Sequence, residues 1–104
     1  MERKYAEFAA TKACELLAID SPSGYTRKAA TWVKEAFEAL GFAAKITTKG
    51  GVLADLGGAD KDDALFLQAH TDTLGAMVAE IKANGRLKLT PLGGLRAENA
   101  ETEN

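Results

Sequence analysis

The stretch Ala64-Leu65-Phe66-Leu67-Gln68-Ala69 is almost continuously apolar and runs directly into His70-Thr71-Asp72. The loop before it, Gly57-Gly58-Ala59-Asp60-Lys61-Asp62-Asp63, is polar and glycine-containing, so residues 64–69 read as a strand buried on both faces. A strand of that kind needs cover above and below, which in α/β proteins comes from helices packed on the two sides of a sheet.

Two amphipathic helices are available. Tyr5, Phe8, Ala9, Lys12, Ala13 and Leu16 recur at spacings of three and four, so all but the Lys12 ammonium share one helical stripe. This helix ends near Asp20-Ser21-Pro22-Ser23-Gly24, because Ser21 precedes a proline and Gly24 tolerates positive φ. A second stripe, Tyr25, Ala29, Trp32, Val33, Ala36, Phe37 and Leu40, is followed by Gly41, where a left-handed C-terminal cap is expected. The lone Cys14 has Ala13 and Glu15 as neighbours and no His or Asp at hydrogen-bonding spacing; it is expected to be a buried structural thiol.

After Gly41 the period changes from helical to two. Phe42, Ala44 and Ile46 alternate with Ala43, Lys45 and Thr47, Gly50-Gly51 turns the chain, and Val52, Ala54 and Leu56 continue as a second strand. Farther on, Met77, Ala79 and Ile81 alternate with Val78, Glu80 and Lys82 ahead of Ala83-Asn84-Gly85. A two-residue turn at Asn84-Gly85 would set Ile81 opposite Lys88, whereas a three-residue loop sets Ile81 opposite Leu87 and Ala79 opposite Leu89. The three-residue loop is expected. Pro91 and Gly93-Gly94 should then stop the strand, leaving residues 95–104 as an exposed or frayed tail.

Composition narrows the function classes. A chain of 104 residues with 46% hydrophobic and 27% charged residues suits one core and a single small domain. Thirteen basic against 15 acidic residues, with no basic block and no aromatic residues interleaved among Lys and Arg, make nucleic acid a poor partner. No apolar run approaches the roughly 18 residues needed to span a bilayer, and the charged, amphipathic opening is unlike a signal peptide. A cytoplasmic location is expected.

His70 is the first polar residue to emerge from the apolar run, and in open α/β sheets ligands bind outside the carboxyl ends of central strands. A neutral imidazole binds a metal through one nitrogen while donating its other N–H to a carboxylate, and Asp72, two residues on along an extended chain, is placed to accept it. Purely structural roles are open to the same residues: His70 as a hydrogen-bonded structural residue, Asp72 as a turn cap. A catalytic zinc needs about three protein ligands, no second His exists, and the spacings of the 15 carboxylates pick out no second cluster.

The string from Ala64 through His70-Thr71-Asp72-Thr73-Leu74-Gly75-Ala76-Met77-Val78, with Ile81, Asn84-Gly85, Leu87 and Gly93-Gly94 after it and Ser21-Pro22-Ser23-Gly24 before it, resembles the M42 family of metalloaminopeptidases, which includes glutamyl aminopeptidase-like enzymes. The resemblance runs over essentially the whole chain, and His-x-Asp-x-x-Gly-x-Met-Val is its most specific part. It implies a two-metal peptidase in which zinc or cobalt ions activate a bridging water and a Glu acts as general base. By residue, it implies His70 as a metal ligand and Asp72 as the aspartate that orients it. The family's other ligands, its general base and its second histidine correspond to positions beyond Asn104. Thr73 stands where many members carry an acidic residue, which leaves substrate preference open.

The expected architecture is α/β: two N-terminal helices packed on a partial mixed sheet, followed by the start of a small β domain. The resemblance divides the chain into residues 1–75, the N-terminal part of a catalytic α/β domain, and residues 76–104, the beginning of an inserted β domain that mediates oligomerisation. The expected function is that of an N-terminal portion of an aminopeptidase that removes N-terminal residues from peptides, inactive and weakly metal-binding by itself, with a homo-oligomer as the expected assembly. The alternatives are a non-catalytic assembly module using the exposed edge of the second hairpin, a relative labelled endoglucanase, or a neighbouring two-zinc exopeptidase family.

Overall fold

Both helical stripes become helices, α1 (Arg3–Leu17) and α2 (Arg27–Ala39). The computed structural model describes residues 2–60 and 62–101; Met1 of the opening segment, Lys61 of the polar loop and residues 102–104 of the tail lie outside the described residues. Helix α2 ends as Gly41 suggests. Gly41 takes φ +90°, its N–H reaches the Glu38 carbonyl at 2.9 Å, and the Phe42 N–H reaches the Phe37 carbonyl at 3.1 Å. These two bonds satisfy carbonyls that the helix end would otherwise leave bare, in a geometry that needs a residue able to enter the left-handed region.

Strands β1 (Ala43–Ile46) and β2 (Val52–Asp55) form an antiparallel hairpin with Ile46 opposite Val52, and α2 packs against it. The only buried apolar residues among those described are Ala29 and Ala30, both on α2. Helix α1 meets α2 lightly, with the Lys12 ammonium 5.5 Å from the centre of the Trp32 ring. No residue of α1 is buried, and Cys14 is exposed. The expected buried thiol is therefore corrected: the face of α1 that carries it has too little packed against it to exclude water.

Strands β3 (Gly75–Ile81) and β4 (Leu87–Leu92) make a second antiparallel hairpin. Its loop is the expected three-residue one. Lys82 N–H bonds to the Arg86 carbonyl at 2.9 Å, Gly85 N–H to the Lys82 carbonyl at 2.9 Å, and Gly85 sits at φ +80°. Ile81 accordingly faces Leu87. Beyond that pair the register departs from expectation. A bulge between Val78 and Glu80 makes Ala79 the extra residue, so Val78 rather than Ala79 faces Leu89. Burial fixes register only where one face is covered, and Met77, Val78 and Leu89 all remain about half exposed. Pro91 lies inside β4 opposite Ala76 rather than ending it, which a two-stranded hairpin tolerates because one edge of each strand makes no ladder bonds. The tail carries one further turn of helix, α3 (Ala97–Ala100), that the polar composition hid; it is exposed, as expected of that segment.

Residues 64–69 do not form a strand. Leu65, Phe66 and Leu67 are 86%, 71% and 76% exposed, the reverse of the expected burial. A strand needs a neighbour on its edge and layers on its faces. Among the described residues β1 pairs only with β2 and β3 only with β4, and neither hairpin takes this segment as a third strand. The α/β class and the order of two helices, hairpin and second hairpin hold, while the central strand that would join them is left without partners. The surface shows the same thing: 9028 Å² is exposed, against roughly 5,600 Å² for a compact monomer of this mass. The radius of gyration is 18.1 Å, where about 13 Å is ordinary for this length.

Candidate metal-ligand site

Two segments far apart in sequence meet at the end of the apolar run. The turn after α1, Ser21-Pro22-Ser23, lies alongside residues 72–75. Thr73 N–H donates to the Ser21 carbonyl at 2.8 Å, giving an isolated parallel bridge between Pro22 and Thr73. Ser21 is buried, and its hydroxyl has no hydrogen-bond partner among the described residues. Contact between the segments is close. A β-carbon on Gly75 would fall 2.6 Å from Pro22 Cβ, and one on Gly93 would fall 3.0 Å from Ser23 Oγ. The small residues at 75 and 93 thus let the chain after His70 lie against the proline turn.

This contact holds Asp72 from one side while Asp72 holds His70 from the other. The Ser23 hydroxyl donates to Asp72 Oδ2 at 3.0 Å. His70 Nδ1 lies 3.1 Å from Asp72 Oδ1 and 3.0 Å from the Asp72 backbone carbonyl oxygen. A backbone carbonyl only accepts, so in the neutral imidazole the proton is assigned to Nδ1 and the lone pair to Nε2. The His70 side chain is 85% exposed, which leaves that lone pair in solvent. The Asp72 carboxyl is held below its ordinary value of 3.8, chiefly by the Ser23 hydrogen bond; desolvation opposes this, and its own backbone amide and His70 add to it. The carboxylate is therefore the form present at neutral pH, as an acceptor for an imidazole N–H requires.

Both expected site residues, His70 and Asp72, are brought into hydrogen-bond contact. Ser23 is the participant that sequence reasoning did not connect with them. Its segment stood out only as a turn, and the 49 residues separating Ser23 from Asp72 leave no local pattern to link the two. The donor chemistry fits a borderline cation at one position, with a neutral imidazole presenting Nε2 and its ring oriented by a carboxylate. It does not fit a complete site, since no group of three His, Cys, Asp or Glu able to hold a metal occurs among the described residues. A concavity whose lining includes Ile19, Tyr25, Arg27, Trp32 and Glu35 contains neither His70 nor Asp72.

Comparison with known proteins adds two findings. Residues 50–104 match the model of a family described as M42 glutamyl aminopeptidase. Over 89 residues the chain is 42% identical to YhfE of Bacillus subtilis (strain 168), a protein named as a candidate aminopeptidase. That alignment covers 86% of this chain and 26% of YhfE, so the chain spans about a quarter of its relative's length.

Proposed function

From the chain's membership of the M42 glutamyl aminopeptidase family, a family of metal-dependent enzymes, we propose that it carries the first metal-ligating segment of an enzyme that removes N-terminal residues from peptides. The observation supporting this is the His70–Asp72 pair, in which a carboxylate 3.1 Å from Nδ1 leaves Nε2 as a ligand atom facing solvent. In this reading His70 is a metal ligand and Asp72 its positioning residue. Two divalent ions, zinc or cobalt, would supply an activated water and a polarised carbonyl in a complete site. One imidazole gives weak metal affinity, because tight binding requires several deprotonated ligands held together. The 104-residue chain by itself therefore hydrolyses no peptide.

We further propose a cytoplasmic homo-oligomer, with residues 1–75 belonging to the catalytic domain and residues 76–104 to an oligomerisation domain. The exposed apolar side chains of the second hairpin, among them Ile81 at 74%, support an assembly role for it. The test uses Co²⁺ and the resonances of the single His. Paramagnetic broadening should appear first at the His70 ring and the backbone amides beside it, at high micromolar metal or above, and the amide broadening should vanish in His70→Ala, with no turnover of an aminoacyl chromogenic substrate. Broadening centred on the carboxylates of the 57–63 loop with His70 unaffected would overturn the ligand assignment. Submicromolar metal uptake accompanied by turnover would overturn the inactivity of the isolated chain.

A further inference from the structure

Asp72 has two carboxylate oxygens, and the structure uses them differently. Oδ1 faces His70, whereas Oδ2 accepts the Ser23 hydroxyl. A carboxylate joined to the backbone by one methylene carbon and touched only at Oδ1 could turn away from the imidazole. Asp72 is about half exposed, so no packed wall prevents that rotation. The second contact, from a residue on a different segment, removes the freedom.

We propose that Ser23 is a positioning residue for the metal-ligand histidine: by fixing Asp72 at Oδ2 it holds Oδ1 against His70 Nδ1 and so keeps Nε2 as the free ligand nitrogen. This rests on the reading of His70 and Asp72 given above and extends it across the fold. Ser23 is itself well held. Its backbone lies in the turn whose Ser21 carbonyl accepts the Thr73 N–H and whose Pro22 carbonyl accepts the Tyr25 N–H at 2.8 Å. Its hydroxyl points into a space bounded by Gly93, where a β-carbon would approach to 3.0 Å. The turn after α1 thus controls the orientation of a side chain at position 70. Outer-shell partners of this kind set the tautomer and ring direction of a ligating His.

The experiment exploits the single His in the chain, whose ring nitrogens are assigned without ambiguity. Long-range ¹H–¹⁵N spectra, recorded under mildly basic conditions, report the ratio of Nδ1–H to Nε2–H tautomers of the ring. The unmodified chain should favour Nδ1–H. Ser23→Ala should lower that ratio by about threefold or more, a fraction of one charge-assisted hydrogen bond, and Ser23→Thr, which keeps the hydroxyl, should restore it. Should Ser23→Ala not fold, Ser23→Cys carries the test, because a thiol donates weakly while keeping the β-substituent. An unchanged tautomer ratio in the folded variant overturns the role of Ser23. Asp72→Asn separates the two levels. A shift there with none in Ser23→Ala defeats the Ser23 proposal alone, and no shift in Asp72→Asn defeats the positioning role of Asp72 on which it rests.

Discussion

Replacing Gly75 with alanine should open the contact between the proline turn and the His70 segment while leaving both hairpins and helices α1 and α2 in place. The added Cβ would stand 2.6 Å from Pro22 Cβ, about 1 Å inside ordinary carbon–carbon contact. Gly75 does not lie at positive φ, so the cost is steric rather than conformational. Pro22 cannot swing aside as a long side chain would, because its Cβ is part of a ring fixed to the backbone. Relief requires the segments to separate by roughly 1 Å, which takes the Thr73 N–H···O bond from 2.8 Å and the Ser23–Asp72 bond from 3.0 Å beyond bonding range. Overpacking of this kind costs about 1–3 kcal/mol, corresponding to amide exchange at Thr73 faster by roughly 5- to 150-fold. Hydrogen exchange measured residue by residue is the assay. Gly94→Ala is the control, since a β-carbon there meets Leu74 Cδ2 at an ordinary 3.8 Å. If Thr73 exchanges at the same rate in Gly75→Ala and the unmodified chain, the steric reasoning is wrong.

Protonation of Asp72 should weaken the same contact. Its carboxyl is lowered from 3.8 in the folded chain, so its stabilising contribution is fully present above that value and is lost as pH falls below it through the folded-state pKa; a ¹³C titration of the Asp72 carboxyl should have its midpoint below 3.8, and a midpoint at or above it contradicts the Ser23 contact. The roughly 3,400 Å² exposed beyond the area of a compact monomer is on the scale of an obligate interface, so the isolated chain should self-associate and bind a hydrophobic dye. A monomeric sedimentation profile without dye binding would show that this surface is covered in some other way.

Local chemistry was legible and long-range pairing was not. The helix end at Gly41 and the loop at Ala83-Asn84-Gly85 follow from residues adjacent in sequence, because one glycine able to reach positive φ decides each. The bulge at Ala79 escaped, since alternation reads a register only when burial enforces it and neither face of β3 is buried. Residues 64–69 depart from the expected strand for a related reason: an apolar run states a preference for burial, but partner strands and covering layers must exist for that preference to be met. At the site, His70 and Asp72 lie close enough in sequence for strand geometry to connect them. Ser23, Thr73 and Gly75 became related only through the meeting of two distant segments, which no periodicity records.

The hydrogen bond between Ser21 and Thr73 also bears on the order in which the molecule assembles. Each hairpin closes through a three-residue loop, and such closures are fast and entropically cheap. Joining residue 21 to residue 73 closes a loop of more than 50 residues, at an entropic cost of about 3.5 kcal/mol before any constant term. One backbone bond, one hydroxyl bond and a proline–glycine contact must together offset that cost, so they form as a unit or not at all. The hairpins and α2 are therefore expected to organise first, with the Ser23–Asp72 contact forming only when the two ends of the loop meet.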